Sequence, residues 1–179
     1  MNKRILTSVL SAAIFMIMAI PFQAQAQWGI GASYELRQES PKSGFGVRVE
    51  RGILGKVPVV DLRLRAHFSY FREETSFPGG TADLTNYDYG LAAIGGVSIG
   101  LIKPYVGLGI GSTTFDAKIQ NAQNPGSENA FFWNVLVGAE VSPIPIVNPF
   151  VEYRLQQADE PQFVKDSNGR LVFGVTLNF

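Results

Sequence analysis

Eight stretches of this chain alternate apolar and polar side chains with a period of two, and every charge within them falls on one parity. That period places successive side chains on opposite faces of an extended strand. The first run sets Trp28, Ile30, Ala32, Tyr34 and Leu36 against Gly29, Gly31, Ser33, Glu35 and Arg37, and the second sets Phe45, Val47 and Val49 against Gly46, Arg48 and Glu50. The third opposes Val60, Leu62, Leu64, Ala66, Phe68 and Tyr70 to Asp61, Arg63, Arg65, His67 and Ser69. Two Gly-rich runs follow: Tyr87, Tyr89, Leu91 and Ala93 against Asp88, Gly90 and Ala92, continuing to Ile99 past a bulge expected at Gly95 and Gly96, and then Val106, Leu108 and Ile110 against Gly107, Gly109, Gly111 and Thr113. The last three oppose Phe131, Trp133, Val135, Val137, Ala139 and Val141 to Asn134, Gly138 and Glu140; Val151, Tyr153 and Leu155 to Glu152, Arg154 and Gln156; and Leu171, Phe173, Val175, Leu177 and Phe179 to Arg170, Gly174, Thr176 and Asn178.

The polar parity carries six bases (Arg37, Arg48, Arg63, Arg65, Arg154, Arg170) and six acids (Glu35, Glu50, Asp61, Asp88, Glu140, Glu152), and the apolar parity carries no charge. Two barrels satisfy such a pattern. A soluble lipocalin-like barrel turns the apolar face inward around a ligand, whereas a transmembrane barrel turns it toward lipid and keeps polar groups inside. Alternation alone does not choose, but three asymmetries favour the membrane. Aromatic residues of the apolar face gather near strand ends, with Trp28 and Phe179 at one rim and Tyr70, Tyr87, Tyr89, Phe131 and Trp133 at the other, as girdles at two membrane interfaces do. Connections alternate, with candidate long loops at 39–44, 72–86, 116–129 and 157–168 and shorter turns at 52–58, 100–104 and 142–149. Charge also sorts by end: the loops hold Lys42, Arg72, Lys118 and Lys165 against nine acids, while the turns and their edges hold Arg51, Lys56 and Lys103 with no acid.

Composition agrees. Of 179 residues only 17% are charged, against about 25% in average soluble chains. Fifteen bases balance 15 acids, which argues against a nucleic-acid partner, and the absence of Cys excludes disulfides, thiolate metal sites and a lipoprotein anchor. A single His does not build a His cluster, so neither metal nor cofactor is expected. At the start, Lys3 and Arg4 precede an apolar stretch from Ile5 to Ile20, a break at Pro21, and the small-residue site Ala24, Gln25, Ala26. This predicts a secretory signal peptide over 1–26, cleaved after Ala26, and a single domain over 27–179 with 13 bases and 15 acids. No later stretch is long and apolar enough to span a bilayer as a helix, so membrane insertion requires strands.

With these residues in place, the chain resembles the eight-stranded outer-membrane barrels of the OmpX, OmpA-barrel and opacity-protein type, over nearly all of residues 27–179. The sharpest element is the last run, where Leu171, Phe173, Val175, Leu177 and terminal Phe179 resemble the signal read by the outer-membrane barrel-assembly machinery. The resemblance implies an all-β, eight-stranded antiparallel up-and-down barrel in the bacterial outer membrane. It also implies outer-membrane lipid and the assembly machinery as partners, and an extracellular partner at the loops. No peptidoglycan-binding domain is expected after Phe179. An eight-stranded barrel has an interior just wide enough for side chains, so the six bases and six acids read as an ion-paired plug. The expected function is non-enzymatic, with acidic loops displayed for surface contact or membrane integrity. A narrow pore for small solutes and a secreted lipocalin-like binder of an apolar ligand stand as alternatives.

Other features receive plainer readings. His67 and Ser69 form a His-x-Ser pair of the kind that lipid A deacylases use with a downstream Glu, here Glu73 or Glu74, but the pair lies in the third run and faces inward. An interior hydrogen-bonded His is the better account. The glycines at 29–31 and 107–111 lack the Lys-Ser/Thr of a phosphate loop and read as barrel wall, with long Arg side chains expected to fill the space above Gly107, Gly109 and Gly111. Glu73, Glu74, Asp83, Asp159, Glu160 and Asp166 lack calcium-loop spacing and read as solvated acids, and Pro78 to Gly80 and Pro125 to Gly126 as turns.

Overall fold

A computed structural model describes residues 28–53, 60–77, 80–119, 126–142, 146–158 and 167–179. The expected signal peptide over 1–26 lies outside the described residues. The eight runs form β1 (Trp28–Arg37), β2 (Ser43–Gly52), β3 (Val60–Phe77), β4 (Gly80–Val97), β5 (Ile102–Ile119), β6 (Gly126–Val141), β7 (Val147–Ala158) and β8 (Ser167–Asn178). Each pairs antiparallel with its sequence neighbours, and β1 closes on β8, giving an eight-stranded all-β barrel. The closing pair runs from Gly29↔Asn178 to Arg37↔Arg170.

Register fixes the tilt. From Tyr34 on β1 the row of paired residues passes through Phe45, Tyr70, Tyr87 and Thr114 and reaches β6 at Asn129. In the other direction it passes through Phe173 and Val151 and reaches the same strand at Ala139. The two arrivals differ by ten residues (139 less 129), which is the stagger of the closed sheet and requires strongly inclined strands.

Closure sends the polar parity inside and the apolar parity outside. Ile30, Val47, Leu91, Val106, Leu108, Val137, Val151 and Leu177 are exposed, whereas Glu35, Glu50, Arg65, Asp88, Glu152 and Arg170 are each 2% exposed or less. The lipocalin-like alternative, which needs the reverse arrangement, is thereby overturned. Among the described residues no helix is long and apolar enough to cross a membrane.

Three expectations are corrected. Gly95 and Gly96 form no bulge: β4 pairs regularly with Leu62 and Asp61 on one side and Val106 and Tyr105 on the other. The space beside the β5 glycines is filled by neighbouring strands rather than by arginines. A Cβ at Gly107 would meet Leu136 and Ile94 at 3.0 and 3.1 Å, and one at Gly109 would meet Asn134 at 2.6 Å and Ala92 at 3.1 Å, while Phe132 covers Gly111. Much of the expected loops at 72–86 and 116–129 is paired strand. β3 and β4 remain in register to Phe77↔Gly80, β4 and β5 to Ala82↔Ile119, and β5 and β6 to Ala117↔Gly126. On either side β2 stops at Gly44↔Phe71 and β7 at Phe132↔Ala158. β3 to β6 therefore rise above the rest of the wall as a four-stranded sheet, by about six residues or about 20 Å along the strand.

A closed barrel keeps its backbone hydrogen bonds within itself and resists detergent until heat separates the strands. The folded protein is expected to run at a different apparent mass in SDS gels before and after boiling; a single unchanged band would contradict closure.

Candidate functional site

The interior charges form two layers on either side of a quieter one. Toward the turns, Glu50 accepts from Arg63 at 2.7 Å and from Arg65 at 2.8 Å, with Arg48 Nε at 3.1 Å. Arg63 also reaches Glu140 at 2.9 Å and Asp61 at 2.9 Å. Glu152 takes Arg65 on one oxygen at 2.5 Å and Arg154 on the other at 2.7 Å, and the Tyr105 hydroxyl donates to it at 3.0 Å. Toward the projecting sheet, Asp88 receives both Arg37 at 2.5 Å and Arg170 at 2.6 Å. Arg170 also binds Glu35 at 3.2 Å and Gln156 at 2.6 Å, and Arg37 donates to Asn86 at 2.6 Å. All twelve charged residues expected inside thus meet an opposite charge there. Asp61 is the most open, with its side chain 30% exposed at the turn-side mouth.

Charge alternation could not show what else lies inside. Phe71, Ile94, Tyr105, Phe132, Leu136, Phe150 and Val172 are buried on the polar parity. Several serve as plates for guanidinium groups: Arg37 stacks 3.3 Å from the centre of Phe71, Arg48 3.3 Å from Phe150, and Arg63 and Arg65 lie 5.6 and 5.5 Å from the centre of Tyr105. A delocalised, weakly hydrated guanidinium tolerates such a face where an ammonium would not. The six bases of the two charged layers are accordingly all arginines. An aromatic at an inward position in the Arg-rich runs was the available signal, as at Phe71 and Phe150.

The His-x-Ser pair is not assembled for catalysis. Ser69 Oγ donates to Glu35 at 2.7 Å, and His67 lies beside the Phe132 ring at 6.4 Å, with neither ring nitrogen hydrogen-bonded in the structure. Glu73 accepts from the Lys42 backbone at 2.7 Å, and Glu74 sits on the outer surface beside Arg72 at 3.5 Å, so neither completes a triad. The expected hydrogen-bonded interior His is corrected in this respect: His67 is buried, but in the quiet layer with Asn134, whose amide is likewise unpartnered. No group of three or more His, Asp or Glu is placed to hold a metal ion among the described residues.

The aromatic residues expected at the rims lie on the outer wall. Trp28 and Phe179 stand at the turn end, Tyr70, Tyr89, Phe131 and Trp133 are exposed toward the other end, and Tyr87 is half-buried against Tyr70 at 5.6 Å. Tyr34, between Phe45 at 5.3 Å and Phe173 at 5.5 Å, extends that band and was not singled out in sequence. Leu171, Phe173, Val175 and Leu177 of β8, with Phe179 just past its end, form one exposed stripe.

Above the upper aromatic band the outward parity changes character. Tyr70 gives way to Arg72 and Glu74, Tyr87 to Thr85 and Asp83, and Phe131 to Asn129 and Ser127. Arg72 and Asp83 pair across β3 and β4 at 3.1 Å, and Thr114 donates to Asn129 across β5 and β6 at 2.5 Å. Glu73, Glu74, Asp83, Asp116 and Glu128 therefore lie on strands of the projecting sheet rather than in loops, while Asp159, Glu160 and Asp166 lie outside the described residues.

No family model and no curated protein matches the sequence. Solved structures do. The chain is similar to Neisserial surface protein A (22% identity, TM-score 0.62, covering 86% of this chain and 97% of that one) and to the attachment invasion locus protein of Yersinia pestis (17%, 0.59, 86% and 97%). It is also similar to the N-terminal β-barrel domain of Pseudomonas aeruginosa OprF (16%, 0.58, 88% and 100%). The fold is that of the small eight-stranded outer-membrane barrels.

Removing one carboxylate from a buried network leaves its arginines short of compensating charge, at a cost of about 3–5 kcal/mol. Glu152→Ala is expected to lower the unfolding free energy by that order in urea titrations of the barrel in lipid vesicles, because Arg65 and Arg154 both lose their closest acid. Asp61→Asn at the open mouth is expected to cost about 1 kcal/mol or less.

Proposed function

We propose that this protein is a non-enzymatic barrel of the bacterial outer membrane whose interior is closed by the ion-paired network and whose business end is the sheet projecting from β3 to β6. The carrying observation is the reversal along those four strands: an apolar outer wall ending at Tyr70, Tyr87 and Phe131, then a polar outer face on the same strands. An uninterrupted apolar band with aromatics at its edge fits hydrocarbon and its interface, and a polar, hydrogen-bonded sheet above it fits water. The likeness to outer-membrane barrels supports the location. Delivery by the 1–26 signal and insertion by the barrel-assembly machinery through the β8 stripe complete the reading.

The projecting sheet offers more than solvated loops would. Its strands are paired through their length, so its shape is set before any partner arrives, which reduces the ordering cost of contact. Among the described strands, nothing pairs with the outer side of β3 above Phe71 or of β6 above Phe132. Unpaired edge backbone is a template for an added strand. The β3 edge carries Arg72, Glu73 and Glu74, which discourage such pairing, whereas Ser127 to Phe131 on β6 holds only Glu128, on the inward parity. Surface contact through the β6 edge is therefore the favoured activity, with an extracellular protein segment as the partner class.

A narrow pore remains the second reading, favoured by the unpartnered polar atoms of His67 and Asn134 between the two charged layers. Planar bilayers separate the two. The purified barrel is expected to give no large steady conductance, and Arg65→Ala is expected to destabilise it without opening one; a persistent ohmic conductance from the wild type would replace the closed barrel with the pore.

A further inference from the structure

The turn end of the barrel is unevenly apolar. On β1 and β2 the outward surface passes Trp28 and the charged Arg51, whose guanidinium lies 5.2 Å from the Trp28 ring, before the half-buried Ile53, whose amide donates to the Leu62 carbonyl at 2.8 Å. On the opposite side it does not stop at that level. The outward residues of β4 run on through Val97 to Ile99, the turn continues the surface at Leu101 and Ile102, and Ile146 joins from the β6–β7 connection. Ile99, Leu101 and Ile146 are 66%, 62% and 59% exposed, among the most open large apolar residues of the molecule. No charged residue faces outward among the described residues of this rim, since Lys103 and Glu140 form a register pair on the inward parity.

Register gives the depth. Ala93 shares a paired row with Arg51 through Leu64, and Ile99 lies six residues (99 less 93) further toward the turns. The stagger across two strands takes back two to three of these, which leaves Ile99 roughly three residues, or about 10 Å of strand, beyond Arg51.

The backbone of the rim is prepared for a water-poor setting. The β4–β5 turn is tight, with Gly100 at φ +62°, a conformation that favours glycine. Ile99 and Ile102 exchange both backbone hydrogen bonds at 2.8 and 3.1 Å, and the Leu101 carbonyl accepts from the Ser142 amide at 2.8 Å, joining this turn to the next. Satisfied backbone together with exposed isoleucine and leucine is what lipid contact demands. A loop in water needs neither.

We infer that the rim of Val97, Ile99, Leu101, Ile102, Val141 and Ile146 is immersed in the lipid leaflet at the turn end, so that the barrel stands inclined with its β4–β7 side deeper than its Arg51 side. The occupant is lipid rather than a second copy or a soluble partner because this surface continues the apolar outer wall along β4, β5 and β6 without a charged interruption. The inference rests on the membrane reading above.

The chain contains no Cys, so single cysteines can be introduced and spin-labelled without background. Leu101→Cys and Ile146→Cys test the rim, Arg51→Cys the opposite side, Leu108→Cys the middle of the outer wall and Thr85→Cys the projecting sheet, each verified by its mobility shift on boiling. In phosphatidylethanolamine–phosphatidylglycerol vesicles, labels at 101 and 146 are expected to collide with oxygen in strong preference to a water-soluble nickel complex, with a ratio several-fold above those at 51 and 85. Nickel access at 101 and 146 equal to that at 85, with 108 still protected, would overturn the immersion and leave the membrane barrel standing. Dipolar broadening between labels at 101 would overturn it in favour of a second copy. Nickel access at 108 would overturn the membrane reading itself.

Discussion

Every backbone amide and carbonyl in the middle of this barrel must find its partner in the next strand, and the rest of the structure follows from that requirement. In the membrane setting proposed for this chain there is no water to satisfy an open edge, so the first strand has to meet the last. Eight strands closed with a stagger of ten leave an interior only side chains wide. With apolar side chains committed to the outside, that interior receives the polar parity. Charges taken there must meet opposite charges or be excluded, and this barrel uses six arginines, six acids and a set of aromatic plates to satisfy the condition.

The choice of arginine follows from the same confinement. Glu152 accepts from two arginines on different oxygens, and Arg63 reaches three carboxylates. A planar fork with several donors can bridge strands far apart in sequence, while its flat face lies on Phe71, Phe150 or Tyr105. Lysine offers one compact charge and no face to stack. Between the layers, His67 and Asn134 have no hydrogen-bond partner for their side chains, and both lie close against inward glycines.

The barrel was legible because its governing signal is local and repeated. Trp28, Ile30, Ala32 and their counterparts state the period of two in every run, and confinement of charge to one parity names the inner face. What the sequence concealed depends on neighbours in space. The glycines at 107, 109 and 111 say that something approaches closely, but only register shows it to be Leu136, Asn134 and Phe132. Polar residues from Arg72 to Thr85 resemble a loop because turn residues and acids are common in loops. The alternation Arg72, Glu74, Ser76 on one parity was present but mixed, since the outward face above the band is polar and contrast with the inward face is lost. The Gly95 and Gly96 pair misled for a related reason: two small residues suggest a backbone irregularity, whereas Gly95 faces open space on the outer wall and Gly96 packs beside Tyr105.

The interior bonds join strands that emerge at very different times during synthesis. Asp88 on β4 takes Arg37 from β1 and Arg170 from β8, and Glu152 on β7 takes Arg65 from β3. A sheet lacking β8 would hold Glu35 and Asp88 without Arg170 and would present two open edges as well. Closing the last seam thus completes both backbone pairing and charge compensation in one event. The free energy of assembly is concentrated at the end of the process, and a chain arranged in this way has no comfortable halfway state in which to rest.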